Sequence, residues 1–298
     1  MLAAPTVGSA LRLSAAVIAA VNAAGFTLTA LSRSHKLTDL TGTSAFIASA
    51  WATHAAAASS SLSSSSSLAS TLFKPTRGFA LACVVSAWGA RLSAHLFTRV
   101  LKLGKDERLD FLFPAENEPG LLVGGSSMFP LKLAGFWTAQ GAWAWVCLLP
   151  VTVLHGNPTA ARGKLGFLGA ACVAAALGFV AVDAVADSQK NRHYKDPSKK
   201  GKPCTEGLYS VVRFPNYAAE IGVWTSIAAA AASAPGVLAS APLAVVASPL
   251  FTYALLAHGS GIPPLEEAHE KKYGSDAEYR RWKREVPRLF PDVFKVLK

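Results

Sequence analysis

The chain has 298 residues, 51% of them hydrophobic and only 16% charged, and its mean hydropathy is positive at +0.32. This balance excludes a disordered chain and points to membrane-spanning helices. The net charge of +11 does not imply nucleic acid, because the basic residues gather between apolar stretches, where anionic headgroups or an anionic cofactor would meet them.

Seven apolar stretches follow one another, at residues 13–31, 39–57, 78–97, 131–154, 164–186, 217–234 and 236–258. Most approach the roughly 20 residues that cross a bilayer. The N-terminal part has two readings. No acidic residue precedes Asp39, and the Ala/Ser/Thr-rich stretch with Arg12, Arg33 and Lys36 has the composition of an organellar transit peptide; yet the segment from Leu13 to Leu31 is also long enough to span. The run from Ser59 to Ser67 is expected to be a flexible loop without chemistry. Loops after the odd-numbered stretches, with the tail, hold 23 basic residues, against four (Lys74, Arg77, Arg162 and Lys164) on the other side. The positive-inside rule then places the tail in the cytosol and the N-terminus away from it.

The expectation is an all-α polytopic membrane protein with about seven transmembrane helices. Residues 1–38 would form an N-terminal segment with the first span, and 39–298 one membrane domain with a cytosolic tail from about residue 260. The endoplasmic reticulum is the expected membrane, with a plastid membrane the alternative. Cys83, Cys147 and Cys172 fall inside apolar stretches and Cys204 in a basic loop, with no CxxC spacing. Buried packing is expected of them, and neither a disulfide framework nor a metal site.

Three polar clusters interrupt the apolar pattern. On the third stretch Arg91, His95 and Arg99 recur every four residues and so share one helix stripe. Arg91 could pair with a carboxylate such as Asp39, or the stripe could face a polar cavity in which His95 gives up a proton. On the fifth, Asp183, Asp187 and Asn191 have the same spacing, beside Gln189, Lys190 and Arg192. They form either a solvated helix end or a site where carboxylates hold ribose or adenine while Lys190, Arg192 and Arg213 neutralise phosphates. The third cluster is the segment from Gly207 to Glu220. Pro215 pushes Phe214 out of the helical region and suits a first turn, so a helix should begin near Asn216 with its free N–H groups directed toward Arg213. Such an end attracts phosphate. Asn216 and Glu220 share a face of that helix. Gly163, Gly166 and Gly169 have three-residue spacing at a helix start, which suits helix packing and not a dinucleotide-binding turn after a strand.

The segment Arg213-Phe214-Pro215-Asn216-Tyr217-Ala218-Ala219-Glu220 resembles the R-x-P-N-Y-x-x-E signature of steroid 5-alpha-reductase-like multi-pass membrane proteins, in a largely uncharacterised branch from bacteria, plants and algae. Arg91-Leu92-Ser93-Ala94-His95-Leu96 with Gly104 to Arg108, Ala186-Asp187-Ser188-Gln189-Lys190, and Ser260-Gly261-Ile262-Pro263-Pro264-Leu265-Glu266 are similar to further motifs of that branch. The resemblance implies NADPH bound from the cytosolic side, next to a cavity for a lipid- or steroid-like substrate, and hydride transfer to an activated carbon–carbon double bond. It implies cofactor contacts at Asp187, Lys190, Arg213, Asn216, Tyr217, Glu220, Ser260 and Glu266, with catalytic candidates His95 and Arg91. The sequence departs from the pattern at Phe214, where many members carry His, and lacks the Glu/Tyr pair of true steroid reductases. Arg213, Pro215, Tyr217, Glu266, Glu267, Tyr273, Gly274 and Tyr279 are also similar to isoprenylcysteine carboxyl methyltransferases, which use S-adenosylmethionine. That cofactor carries no phosphates, so the basic cluster from Lys190 to Arg213 favours NADPH. A third reading is a lipid-binding membrane protein without catalysis. Hydrophobic residues interleaved with basic ones in the tail suit a segment lying on the membrane face or closing over a cofactor.

Overall fold

The structure, a computed structural model, describes residues 5–60, 67–103, 107–114, 118–121, 124 and 128–292. Most of the serine run and the residues Gly104, Lys105 and Asp106 lie outside them. The described residues are helical and include no strand. The long helices are α1 (Val7–Ser32), α2 (Thr38–Ser59), α4 (Arg77–Leu103), α5 (Leu131–His155), α7 (Phe167–Lys195), α9 (Pro215–Ala232) and α11 (Pro242–His258). Short helices stand between and after them: α3 (Leu68–Leu72), α6 (Pro158–Arg162), α8 (Leu208–Val211), α10 (Val237–Ser240), α12 (Ile262–Tyr273) and α13 (Ala277–Glu285).

Every apolar stretch of the sequence coincides with one of the long helices. Among the described residues, five helical segments are long and apolar enough to cross a membrane: α1, α4, α5, α7 and the segment Pro242–Tyr273, whose apolar part is α11. This is consistent with an integral membrane protein. The exceptions have physical causes. Helix α2 carries Thr38, Thr43, Ser49, Thr53 and His54, all buried, and α9 has only 18 residues, beginning with Pro215, Asn216, Tyr217 and Glu220.

The chain divides into two compact units. The first comprises residues 1–170 and 228–248. In it α2 packs against α1, α4 and α5. Phe46 of α2 lies 4.8 Å from Trp88 and 4.7 Å from Trp143, ring centre to ring centre, which fills the middle of the bundle with aromatic edges and faces. The polar groups of these helices bond to one another: Ser14 to Ser49 at 2.8 Å, Trp137 Nε1 to Thr29 at 3.0 Å, Trp51 Nε1 to Ser86 at 2.9 Å, Thr53 to His155 at 2.8 Å, and Thr43 to Ser93. Hydrogen bonds between apolar helices hold a bundle together where water cannot compete. Asp39 lies 4.0 Å from Arg99 at the Asp39 end of α2.

The second unit comprises residues 171–227 and 249–298. Helix α7 has 29 residues, about 43 Å at 1.5 Å per residue, and ends in Arg192, His193 and Lys195, where cations favour the negative end of the helix dipole. Helix α9 starts at Pro215, one residue from the expected position. Asp276 caps α13, accepting from the backbone N–H of Glu278 at 2.7 Å. The aromatic residues of the tail pack inward: Tyr273, Tyr279 and Trp282 are buried against one another with ring centres 5.9 and 6.0 Å apart. Phe290 is exposed.

Candidate functional site

In the second unit, Arg213 sits just before α9, on the extended residue Val212 and ahead of Pro215, whose ring leaves no N–H to bond. The tail fixes this stretch from the side. Backbone N–H groups of Arg213 and Phe214 donate to the carbonyls of Pro287 at 2.8 Å and Arg288 at 3.1 Å, and Leu289 joins Phe214, Ile221, Ala257 and Ile262 in one apolar cluster. Arg213 Nη1 donates to Glu266 Oε1 at 2.6 Å, and Arg288 approaches the other oxygen, Oε2, at 3.1 Å. Glu266 on α12 is therefore held by two guanidinium groups.

The turn before α8 is set from α7. Gln189 Oε1 accepts the N–H of Leu208 at 2.9 Å, and Gly207 has φ +63°, with the position of a Cβ only 2.6 Å from that same oxygen. Only glycine satisfies both the backbone angle and the approach. Trp282 Nε1 donates to the carbonyl of Tyr209 at 2.7 Å, which ties α13 to α8.

These contacts enclose a cavity of about 10 Å³, the room of a single water. Lys190, Tyr194, Tyr209, Arg213, Asn216 and His269 contribute its polar lining, with Pro203, Cys204, Phe214 and Trp282. The hydroxyl of Tyr209 and Nε of Arg213 are both buried and have no hydrogen-bond partner among the described residues. Burial, reinforced by the charge of Asp187, pushes the Tyr209 hydroxyl above its ordinary value, so it stays protonated. Burial likewise pushes the Cys204 thiol up, which makes it an inert wall. All four cysteines are free, Cys147 and Cys204 fully buried. A second, more open cavity of about 330 Å³ shares Cys204 and is lined by Gln189, Arg192, His193, Asp196, Lys199, Glu206 and Gly207.

The residues expected from sequence separate into groups. Lys190, Arg213 and Asn216 converge on the enclosed cavity, and Asp187, buried on α7, acts on Tyr209 from beside it. Glu266 reaches the site through Arg213. Tyr217 stacks on Phe214 with ring centres 6.0 Å apart, and Glu220, one turn further along α9, accepts from Trp224 Nε1 at 3.0 Å; neither lines the cavity. Ser260 is exposed in the bend between α11 and α12. Arg91 and His95 lie half-buried on α4 in the first unit, and both are engaged in interactions there or elsewhere in the chain. In the sequence, Tyr209 stands out only as part of the segment from Gly207 to Glu220 and Trp282 only as one of the apolar residues of the tail; His269, on α12, carries no signal.

The protein is thus a helical membrane-type chain whose second unit closes a cation-lined cavity. It belongs to the family described as a protein of unknown function (DUF1295), whose pattern matches residues 25–286. No curated protein and no solved structure matches the chain.

Proposed function

We propose that the protein is an integral membrane reductase that uses NADPH to reduce a carbon–carbon double bond in a hydrophobic, lipid- or steroid-like substrate. The observation that carries this reading is the convergence of Lys190, Arg213 and Asn216 at the first turn of α9. A helix N-terminus with two cations beside it fits a phosphate-bearing cofactor. When bound, NADPH supplies a hydride to one carbon of the activated double bond. The chain's own residues hold its phosphates (Lys190, Arg213, Asn216), keep Arg213 in place (Glu266), and contribute the carboxylate of Asp187. His95, with Arg91 on the same stripe, is the proposed source of the proton for the other carbon. The cofactor side would face the cytosol, a reading the basic loops support.

The methyltransferase alternative fares worse on one point. S-adenosylmethionine would use carboxylates, yet Glu266 is bound to Arg213 and Arg288, and the exposed Glu267 pairs with Lys271 at 2.7 Å. Titrating the purified protein in detergent with each cofactor and following its unfolding temperature tests the proposal: NADPH is expected to raise it and S-adenosylmethionine to leave it unchanged. The reverse order would sink the reductase reading.

A further inference from the structure

The cations and carboxylates of the first unit are kept apart. Within residues 1–170 and 228–248 the sequence has six acidic residues, Asp39 and five between 106 and 118, whereas Lys74, Arg77, Arg162 and Lys164 fall in stretches with none. The fold carries this separation into space. Asp39 opens α2 and lies 4.0 Å from Arg99, which is about 33 Å along α4 from Arg77 at 1.5 Å per residue. At the end where α2 and α5 finish and α4 begins, the unit thus has four cations and no carboxylate among the described residues.

Two loops meet there. The backbone N–H of Arg77 donates to the carbonyl of Gly163 at 3.0 Å, and a β-carbon at Gly163 would lie only 2.7 Å from Arg77 Nη1. Arg162 Nη1 donates to the hydroxyl of Ser60 at 2.6 Å, and Nε2 of the buried His54 donates to the carbonyl of Leu72 at 3.0 Å. The stretch before α4 and the α6 turn are therefore bonded to each other and to α2. Between them lies a cavity of about 280 Å³, close to the lower bound for small-molecule sites. Its wall includes His54, Thr71, Lys74, Thr76, Ala161 and Arg162.

The chemistry of this wall suits an anion. Lys74 is exposed, and its ammonium has no ion pair or hydrogen bond among the described residues. Arg162 gives one N–H to Ser60 and keeps others. Thr76 Oγ1 accepts the backbone N–H of Phe79 at 3.2 Å, which leaves its O–H to donate. A carboxylate ligand would neutralise one of the two cations. A phosphate carries up to two charges and several acceptor oxygens, and its geometry matches a guanidinium.

We infer that this cavity binds a phosphate group, held by Lys74 and Arg162 with Thr76 as a neutral donor. The headgroup of an anionic phospholipid and free phosphate present the same oxygens. The site lies in the first unit and does not rest on the NADPH reading.

The test uses the full-length protein in detergent at constant ionic strength. The probes are inorganic phosphate, a short-chain phosphatidic acid and a phosphatidylcholine of the same chain length, with affinities read from the rise in unfolding temperature. Lys74→Gln removes an exposed side chain without contacts, so the ligand-free protein should unfold as the parent does while affinity falls about 10-fold or more. Lys164→Gln removes the same charge outside the cavity and should retain the parent's affinity. Binding of inorganic phosphate supports a site that free phosphate fills; binding of phosphatidic acid alone supports a headgroup site. Equal losses in the two variants would reduce the effect to diffuse attraction by a basic surface and overturn the inference. So would unchanged affinity in Lys74→Gln, phosphatidylcholine binding as tightly as phosphatidic acid, or a parent that neither phosphate probe stabilises.

Discussion

The two units arrange their buried polar side chains differently. In the first, hydroxyls, indoles and a histidine are shared between neighbouring helices: Ser14 with Ser49, Thr29 with Trp137, Thr53 with His155. Each such bond links two apolar helices, and His155 also bonds the carbonyl of Gly78; Asn22, His54 and Arg77 of this unit each bury a polar atom without a partner among the described residues. In the second, a cation, a guanidinium, two phenols, an amide and an imidazole converge around one small enclosed space. Burial of a polar group, even an unpaired one, does not by itself mark function. Convergence of charged and hydrogen-bonding groups at a helix N-terminus is the stronger sign.

Substitutions can break this contrast. The largest effect is expected from Arg213→Ala. It leaves Glu266 with Arg288 alone and removes a donor and a charge from the cavity, so unfolding in detergent should cost about 3 kcal/mol less and NADPH should no longer stabilise the protein. Retained NADPH stabilisation would detach the cavity from the cofactor. Next comes Gly207→Ala, which forces a side chain into Gln189 at positive φ and should destabilise by about 1–3 kcal/mol. The smallest is Ser49→Ala in the first unit. A hydrogen bond between helices is worth about 0.6 kcal/mol in such a setting, and NADPH affinity should not change. A large loss of affinity there would erase the distinction between the units.

Much of the helical pattern was legible in the sequence, because each long helix needs a long apolar run and because Pro215 fixes where α9 begins. Two of the seven stretches do not qualify as spans on length and hydropathy, and the reason is physical: α2 carries hydroxyls and a histidine that its neighbours bury, and α9 is short and opens with polar residues. Lys190, Arg213 and Asn216 were legible as a set because they lie close along α7 and the start of α9. The rest of the site was not. Arg213 and Glu266 are 53 positions apart, and Tyr209 and Trp282 are 73 apart; no periodicity connects such partners, and only the fold brings them together. Arg99, on the stripe it shares with Arg91 and His95, lies 4.0 Å from Asp39.

Hydrogen–deuterium exchange of the purified protein with and without NADPH tests the central claim most directly, because it reads both units at once. Slower exchange is expected across residues 187–217 and 262–290, where the cavity and the tail that closes it lie, with α1, α2, α4 and α5 unchanged. Protection confined to the first unit, or none anywhere at saturating NADPH, would contradict the account.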